Sequence, residues 1–289
     1  MTEKECFDRL IEVIYPAGFI CPNCGRTQSW SKPQRRIIIC KSCRREISPL
    51  AGSMFSRSHI SLETWFKMIY MLTSSPERVI TAKNIFEELD MGSYRTAWEA
   101  LNKIRFSISH NEPRIKLRGI IEFDEMVVSG IGSEYNKVSI LGALEIEGEK
   151  RLTLQMIKNP DEMNIKDYLK HKFSNKVTVI TNPEKLYIRN WLVLNRIRQK
   201  SAVKHYGANF MSIHIILQDV RYGLKNGHHS ISEKYLQRNL DEYVFTFNHN
   251  SSRDRAYEKV IDYMVNTKIT SYREAEKIKR SFLSIIAGE

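Results

Sequence analysis

The sequence predicts an α/β protein with a small metal-binding module, a helical region, a mixed sheet and a helical C-terminus. Three observations predict this. Two Cys-x-x-Cys pairs lie within residues 21–43, helical apolar spacing recurs between residues 61 and 105, and strand-like apolar runs fill 119–181. We expect boundaries at 1–52 for the metal module, 53–118 for the helical region, 119–250 for the α/β domain and 251–289 for the C-terminal helices.

The composition points to a folded chain with a polyanionic partner. The 289 residues are 42% hydrophobic, which excludes a mainly disordered chain, and 45 Lys+Arg against 33 Asp+Glu give a net charge of +12. A basic surplus of this size favours nucleic acid as partner, with solubility as the plain alternative. We expect no membrane span, no signal peptide and reduced cysteines, because no long apolar run exists and the first residues are polar.

Four of the five cysteines form two knuckles, Cys21-Pro-Asn-Cys24 and Cys40-Lys-Ser-Cys43, with fifteen residues between them. Each pair directs two thiolates to one side of a tight turn, and two such turns complete a tetrahedral site. The spacing therefore predicts structural zinc, whereas disulfides or a redox pair fit a reducing compartment less well. Gly25 follows the first knuckle, where the turn is sharp. Cys6 lies outside the pattern, and we expect it to be a buried apolar residue.

Helical spacing predicts helices over 61–72, 81–89 and 94–105, with Ser61 as an N-cap. The residues Asp90-Met-Gly-Ser93 break the second helix, so the last two helices have a helix-turn-helix order. In such motifs the second helix reads DNA with its N-terminal residues. The candidates are Ser93, Tyr94, Arg95 and Thr96, with Lys103 and Arg105 reaching phosphates. The alternative is a plain helical hairpin.

The segment from 119 to 181 reads as strand, strand, strand, helix, strand. The first strand carries Asp124, the turn Glu147-Gly-Glu149 joins the next two, and a helix over 161–173 precedes the strand 177–181. By analogy, this order is found in RNase H-like folds. An aspartate within an apolar strand is costly unless it is paired or bound to metal. The pattern therefore predicts a carboxylate site for divalent cations at Asp124.

These motifs together resemble the zinc-ribbon insertion-sequence transposases of the DDE class, in the group related to the Merlin elements. The cysteine ribbon, the segment Tyr94–Trp98, the strand Ile121–Glu125 and the stretch Gly227–Asn248 carry the resemblance. It implies an enzyme that cuts and joins transposon ends with Mg²⁺ or Mn²⁺. It also implies double-stranded terminal repeats as the partner, assembly as a homodimer or larger oligomer, and a place in the cytoplasm or nucleoid, or in the nucleus of a eukaryote.

The resemblance implies three acidic catalytic positions, and this chain has an acidic residue at one of them. Asp124 matches the first acidic residue, but Asn182 stands at the second, and the third falls near Met211 to His214 without a carboxylate. The family's later lysine corresponds to Arg221. We therefore expect a DNA-binding protein with impaired catalysis, in which Asn182 and His214 occupy degenerate positions.

Two alternatives stay open. An active transposase could use substitute ligands, namely Glu125, Glu184 or Asp219. A zinc-ribbon nucleic-acid-binding adaptor could instead carry an unrelated α/β body. The adjacent His228 and His229 diverge, so a loop or phosphate contact fits them better than metal ligation.

Overall fold

The structure is a computed structural model that describes residues 1–74, 80–129, 137–158, 162–182, 188, 190, 192–193, 197–201, 212–227 and 233–269. Glu184, Met211, His228, His229 and the chain beyond residue 269 lie outside this part. The chain divides into two compact units. One contains residues 1–71, 86–111 and 257 onward, and the other contains 72–85 and 112–256.

The first unit begins with a helix that the sequence analysis did not predict, α1 (Glu3–Ile14). Thr2 caps it, and Glu5 reaches back to the Thr2 amide to complete a capping box. A small antiparallel sheet follows, formed by β1 (Ser29–Lys32), β2 (Ile37–Cys40) and β3 (Glu46–Ile47) in the order β1-β2-β3. Cys6 is fully buried, as expected, and burial raises its thiol pKa to about 11.

Two helix N-termini cap each other in this unit. The helix α2 (Leu62–Ser74) starts at its predicted N-cap, since Ser61 Oγ accepts the Thr64 amide at 3.0 Å. The Glu3 carboxylate accepts the Leu62 amide at 2.7 Å, and the Glu63 carboxylate accepts the Glu3 amide at 2.7 Å. Each carboxylate thus satisfies amides that a helix start leaves unpaired, and its charge suits the positive end of the helix dipole.

Two further helices lie close to their predicted positions. They are α3 (Ala82–Glu88) and α4 (Tyr94–Asn111), and Ser93 Oγ accepts the Thr96 amide at 3.1 Å at the start of α4. Asp90, in the connection between them, has a φ of +46°, a left-handed conformation that a short polar side chain tolerates. The helix order agrees with the prediction, whereas a DNA-reading role for it stays a prediction.

The second unit is built on a five-stranded mixed sheet. Its elements in chain order are β4 (Leu117–Ser129), β5 (Lys137–Glu145), β6 (Leu152–Ile157), α5 (Glu162–Lys172), β7 (Phe173–Thr181) and β8 (Arg198–Ser201). The sheet order is β6-β5-β4-β7-β8, in which β4, β5 and β6 are antiparallel neighbours and β7 is parallel to both β4 and β8. The three predicted strands, their hairpin and the following helix and strand are confirmed. The strand β8 was not predicted.

The two faces of this sheet bury different side chains of β4. Ile121 and Phe123 pack with Tyr168 and Leu169 of α5 on one face. Met126 and Val128 pack on the other face, in the core shared with α6 (Ser212–Gly227) and α7 (Glu233–Asn248). Alternate residues of a strand point to opposite faces, so the even-numbered residues of β4 face α6.

The chain continues into α8 (Arg253–Asn266), which agrees with the start of the predicted C-terminal helices. Within the part of the chain that the structure describes, no helix is both long and apolar enough to span a bilayer.

Candidate functional site

The four predicted cysteines come together in one cluster. The sulfurs of Cys21 and Cys43 lie 3.6 Å apart, as do those of Cys24 and Cys40, and all four lie within 4.8 Å of one another. Zinc–sulfur bonds of about 2.3 Å place tetrahedral sulfurs about 3.8 Å apart. The donor set and its spacing therefore suit structural zinc. Among the described residues, this is the group of three or more potential ligands that fits a metal ion.

Both knuckles have the same backbone geometry. The Cys21 carbonyl accepts the Gly25 amide at 2.9 Å, and the Cys40 carbonyl accepts the Arg44 amide at 3.1 Å. The residue after each second cysteine is left-handed, with φ +70° at Gly25 and +61° at Arg44. The sharp turn expected at Gly25 is confirmed, and an arginine adopts the same turn in the second knuckle.

Backbone amides shape the charge of the cluster. The Arg45 amide lowers the pKa of the Cys43 thiol to about 6, and the Cys43 amide lowers the pKa of Cys40. At Cys24 the Arg26 amide also lowers the pKa, but desolvation and the neighbouring thiols outweigh it and raise the pKa to about 12. The pKa values of neighbouring thiols shift in opposite directions because one thiolate disfavours ionisation of the next. A bound cation stabilises all the thiolates and so removes this repulsion.

The predicted aspartate lies at the centre of the sheet. Asp124 is 2% exposed, pairs with Gly142 across the β4–β5 ladder and faces α6. A Cβ at Gly142 would lie 2.9 Å from Ile213 Cδ1 and 3.1 Å from Leu217 Cδ2. The absence of a side chain at Gly142 therefore lets α6 pack directly against the strand beside Asp124.

A second carboxylate that the sequence analysis missed lies on the same face. Glu122 is fully buried two residues before Asp124, and its Oε2 accepts the Ile213 amide at 2.7 Å. That amide belongs to the first turn of α6, where a carboxylate is favoured by the helix dipole. Glu122 thus fixes the start of α6 on β4. The sequence does contain a signal for Glu122. It lies two residues before Asp124 in a predicted strand, and residues two apart lie on the same face of a strand.

His214 lies in the same first turn and reaches Asp124. Its Nδ1 is 3.3 Å from Asp124 Oδ2, and its imidazole is 40% exposed. Its Nε2 lies 3.5 Å from the Gln218 side-chain amide. The structure therefore brings together the two residues that the sequence assigns to the first and third catalytic positions.

Asn182 lies at the carboxyl end of β7. The last paired residues of the parallel ladder are Glu122 and Ile180, and Asn182 follows Ile180 by two residues, just past the end of the strand at Thr181. Ile180 packs in the core on the α6 face, and continuing the alternation places Asn182 on that face. The register thus brings the end of β7, next to the predicted second position, alongside the part of β4 that leads to Asp124.

Arg221 follows His214 by two helical turns. Its Nη2 donates to the Val127 carbonyl at 2.9 Å, so the guanidinium bonds to β4 three residues beyond Asp124. A cation therefore lies on the same side of α6 as His214.

Of the substitute ligands considered from sequence, the two that the structure describes, Glu125 and Asp219, do not converge on Asp124. Glu125 is buried on the opposite face of β4, as expected from the strand alternation. Asp219 lies beside α7, where its carboxylate adds to burial in raising the pKa of Tyr243 to about 12.

The predicted DNA-contacting residues divide into two groups. Those at the start of α4 are exposed, namely Ser93, Tyr94, Arg95 and Thr96. Lys103 instead lies over the Trp65 ring with its pKa lowered by burial, and Arg105 is 2% exposed. Arg105 is thus buried and Lys103 half-buried in this unit, whereas the expectation that they reach phosphates stays a prediction.

Two parts of the chain match known protein families. Residues 1–46 match a family described as a transposase zinc-ribbon domain, and residues 115–248 match one described as an ISXO2-like transposase domain. The chain carries transposase-family domains. The first contains all four clustered cysteines, which confirms the predicted zinc ribbon, and the second spans Asp124, Asn182 and His214.

No curated protein matches the chain. A solved structure that is similar to it is described as a CryoEM structure of a simian T-cell lymphotropic virus intasome in complex with PP2A regulatory subunit B56 gamma. The identity is 12%, with 72% of this chain and 69% of that chain covered and a TM-score of 0.28.

Proposed function

We propose that this chain is a transposase-family protein that binds double-stranded DNA but is impaired in metal-dependent cutting and joining. The observation that carries the proposal is the contact between His214 and Asp124. An imidazole, 3.3 Å from the buried carboxylate, stands where the third acidic residue of this class is expected.

The ligand set explains the impairment. Two divalent cations that activate water and stabilise a leaving oxygen need anionic oxygens around them. Asp124 is a carboxylate, whereas Asn182 is a neutral amide and His214 is an imidazole. Since about 1.4 kcal/mol of lost transition-state stabilisation is a factor of ten in rate, losing two carboxylates lowers the rate by several orders of magnitude.

The fold of the second unit supports the proposed class. The sheet order β6-β5-β4-β7-β8, with β7 parallel to β4, is the order expected for an RNase H-like domain over 119–250. We extend the proposal to the Merlin-related group, to transposon terminal repeats as the DNA, to self-association as a homodimer or larger assembly, and to the nucleoid or nucleus.

DNA binding is supported by charge and exposure. The chain has a net charge of +12, and the exposed N-terminus of α4 offers hydroxyls, a phenol and a guanidinium. These groups suit base edges and phosphates in a major groove.

One observation favours a second candidate, an active transposase. Glu122 lies on the same strand face as Asp124 and supplies a carboxylate close to it. In that case Glu122 replaces a missing acidic ligand. The two candidates differ in whether the unmodified chain cuts DNA.

The test uses the zinc-loaded chain and labelled DNA carrying the inverted repeats that flank its gene. We expect binding that weakens with salt, because phosphate contacts release counterions. Arg95→Ala should weaken binding about tenfold, since a lost base contact costs about 1–3 kcal/mol. Lys4→Ala is the matched control, because Lys4 is also an exposed helical cation paired with an acidic residue four positions on.

The same DNA, incubated with Mg²⁺ or Mn²⁺, tests the impairment. We expect binding without site-specific nicks. Nicks that disappear in Asp124→Ala would establish the active candidate instead, and absence of DNA binding would contradict both.

A further inference from the structure

We propose that Asp124, His214 and Asn182 form a site for a single transition-metal ion, such as Mn²⁺, that discriminates against Mg²⁺. The inference rests on the proposed function, in that the site is the transposase catalytic site with two acidic positions replaced. It adds the kind and number of ions that the altered site accepts.

A pair of Mg²⁺ ions does not fit these residues. Mg²⁺ prefers octahedral oxygen ligands, and two adjacent dications need several carboxylates between them. The three residues supply one carboxylate, one amide oxygen and one imidazole nitrogen. The Arg221 guanidinium, bonded to the Val127 carbonyl three residues along β4 from Asp124, supplies no further anionic ligand.

One transition-metal ion fits the contact between Asp124 and His214. Bonds of about 2.0–2.2 Å from imidazole nitrogen and carboxylate oxygen place neighbouring ligand atoms about 3.0–3.3 Å apart on one ion. His214 Nδ1 and Asp124 Oδ2 are 3.3 Å apart. The pair therefore has the separation of two ligands on the same ion, with the imidazole favouring a transition metal.

The surrounding residues hold the pair in place. Glu122 binds the Ile213 amide and so fixes the turn that carries His214. Gln218 lies 3.5 Å from the other imidazole nitrogen, where its amide orients the ring. Asn182 follows the last ladder pair, Glu122 and Ile180, by two residues, and the proposal assigns its side-chain carbonyl oxygen as the third ligand.

The experiment is a titration of the full-length protein with Mn²⁺, followed by electron paramagnetic resonance and performed without DNA. The ribbon is first filled with zinc, which Mn²⁺ does not displace because it is the weakest-binding divalent ion of its series. We expect about one Mn²⁺ per chain. Asp124→Asn and His214→Gln should each weaken binding at least about tenfold, because the first removes the negative charge of the site and the second removes the imidazole nitrogen.

Glu125→Gln is the matched control, since it removes a carboxylate from the other face of the same strand. It should leave Mn²⁺ binding unchanged. Mg²⁺ should compete only at concentrations at least about tenfold higher than Mn²⁺, and His214→Glu should shift the preference toward Mg²⁺. Circular dichroism checks that each variant is folded.

Three outcomes would overturn the proposal: no Mn²⁺ bound above the level of folded Asp124→Asn, equal competition by Mg²⁺, or the same loss in Glu125→Gln as in His214→Gln. None of them bears on DNA binding or nicking. Failure of the metal site is therefore distinguishable from failure of the proposed function.

Discussion

At the scale of single residues, the two cysteine knuckles place different side chains at the same left-handed backbone position. Gly25 and Arg44 occupy equivalent left-handed positions, which cost an ordinary residue about 1–2 kcal/mol. Glycine avoids this cost. Arg44 partly offsets it, because its guanidinium lies 4.8 Å from the Trp30 ring centroid.

This difference predicts opposite sensitivities at the two turns. Gly25→Ala should lower the apparent zinc affinity about tenfold, since strain of about 1–2 kcal/mol opposes the folded ribbon. Arg44→Gly should change it less than about threefold, because relief of strain and loss of the cation–π contact nearly cancel. Competition with a chromogenic chelator measures both, and equal losses would refute the account of the turns.

The residues of the candidate sites were partly predictable from the sequence. Asp124 was evident because an acidic residue interrupts an apolar strand, and the cysteines because their spacing is specific. Glu122 was missed because its role depends on an amide 91 residues away. The burial of Arg105 was not predicted, because α4 buries polar as well as apolar side chains and sequence periodicity does not show which cations stay exposed.

At the scale of elements, α7 protects the edge of the sheet. The strand β6 lies at one end of the sheet order, and an unpaired strand edge invites association with other chains. Gln237 Oε1 accepts the Met156 amide at 2.8 Å, and Asn248 bonds both the amide and the carbonyl of Leu152. Part of the distinctive stretch Gly227–Asn248 thus serves the sheet rather than catalysis.

We therefore expect Asn248→Ala to destabilise the second unit by about 2–3 kcal/mol, since it leaves buried backbone groups unpaired. Asn250→Ala, at an exposed position two residues later, should change stability by less than about 0.5 kcal/mol. Urea denaturation measures both. Equal midpoints for Asn248→Ala and the unmodified chain would show that α7 does not secure β6.

The longer elements were predictable because their apolar periodicity is strong, as in α2, α4, β4 and β5. The four-residue strand β8 offers too few residues for a pattern. The helix α1 was overlooked although Thr2 and Glu5 form a capping box at its start. The start of β7 at Phe173 differs from the expected 177 because its first residues mix polar and apolar side chains and read as the end of the helix.

At the scale of the whole molecule, the net positive charge is divided between the proposed DNA-binding region and the part that contains the proposed catalytic site. The surplus in the first 120 residues, 19 basic against 12 acidic, lies with the zinc ribbon and the helices proposed to bind DNA. The remaining residues hold 26 basic and 21 acidic side chains, and the proposed catalytic site among them has no carboxylate at position 182 or 214. The chain thus combines transposase-family domains with a proposed catalytic site in which Asp124 is the one carboxylate among the three predicted positions.

The most direct test of this account restores the lost charge. The double variant Asn182→Asp with His214→Glu should nick the terminal-repeat DNA in Mg²⁺ at a rate at least about a hundredfold above the unmodified chain, corresponding to about 3 kcal/mol. Adding Asp124→Ala to the double variant should abolish the nicking. Nicking by the unmodified chain at the rate of the double variant would contradict the claim that these positions impair catalysis.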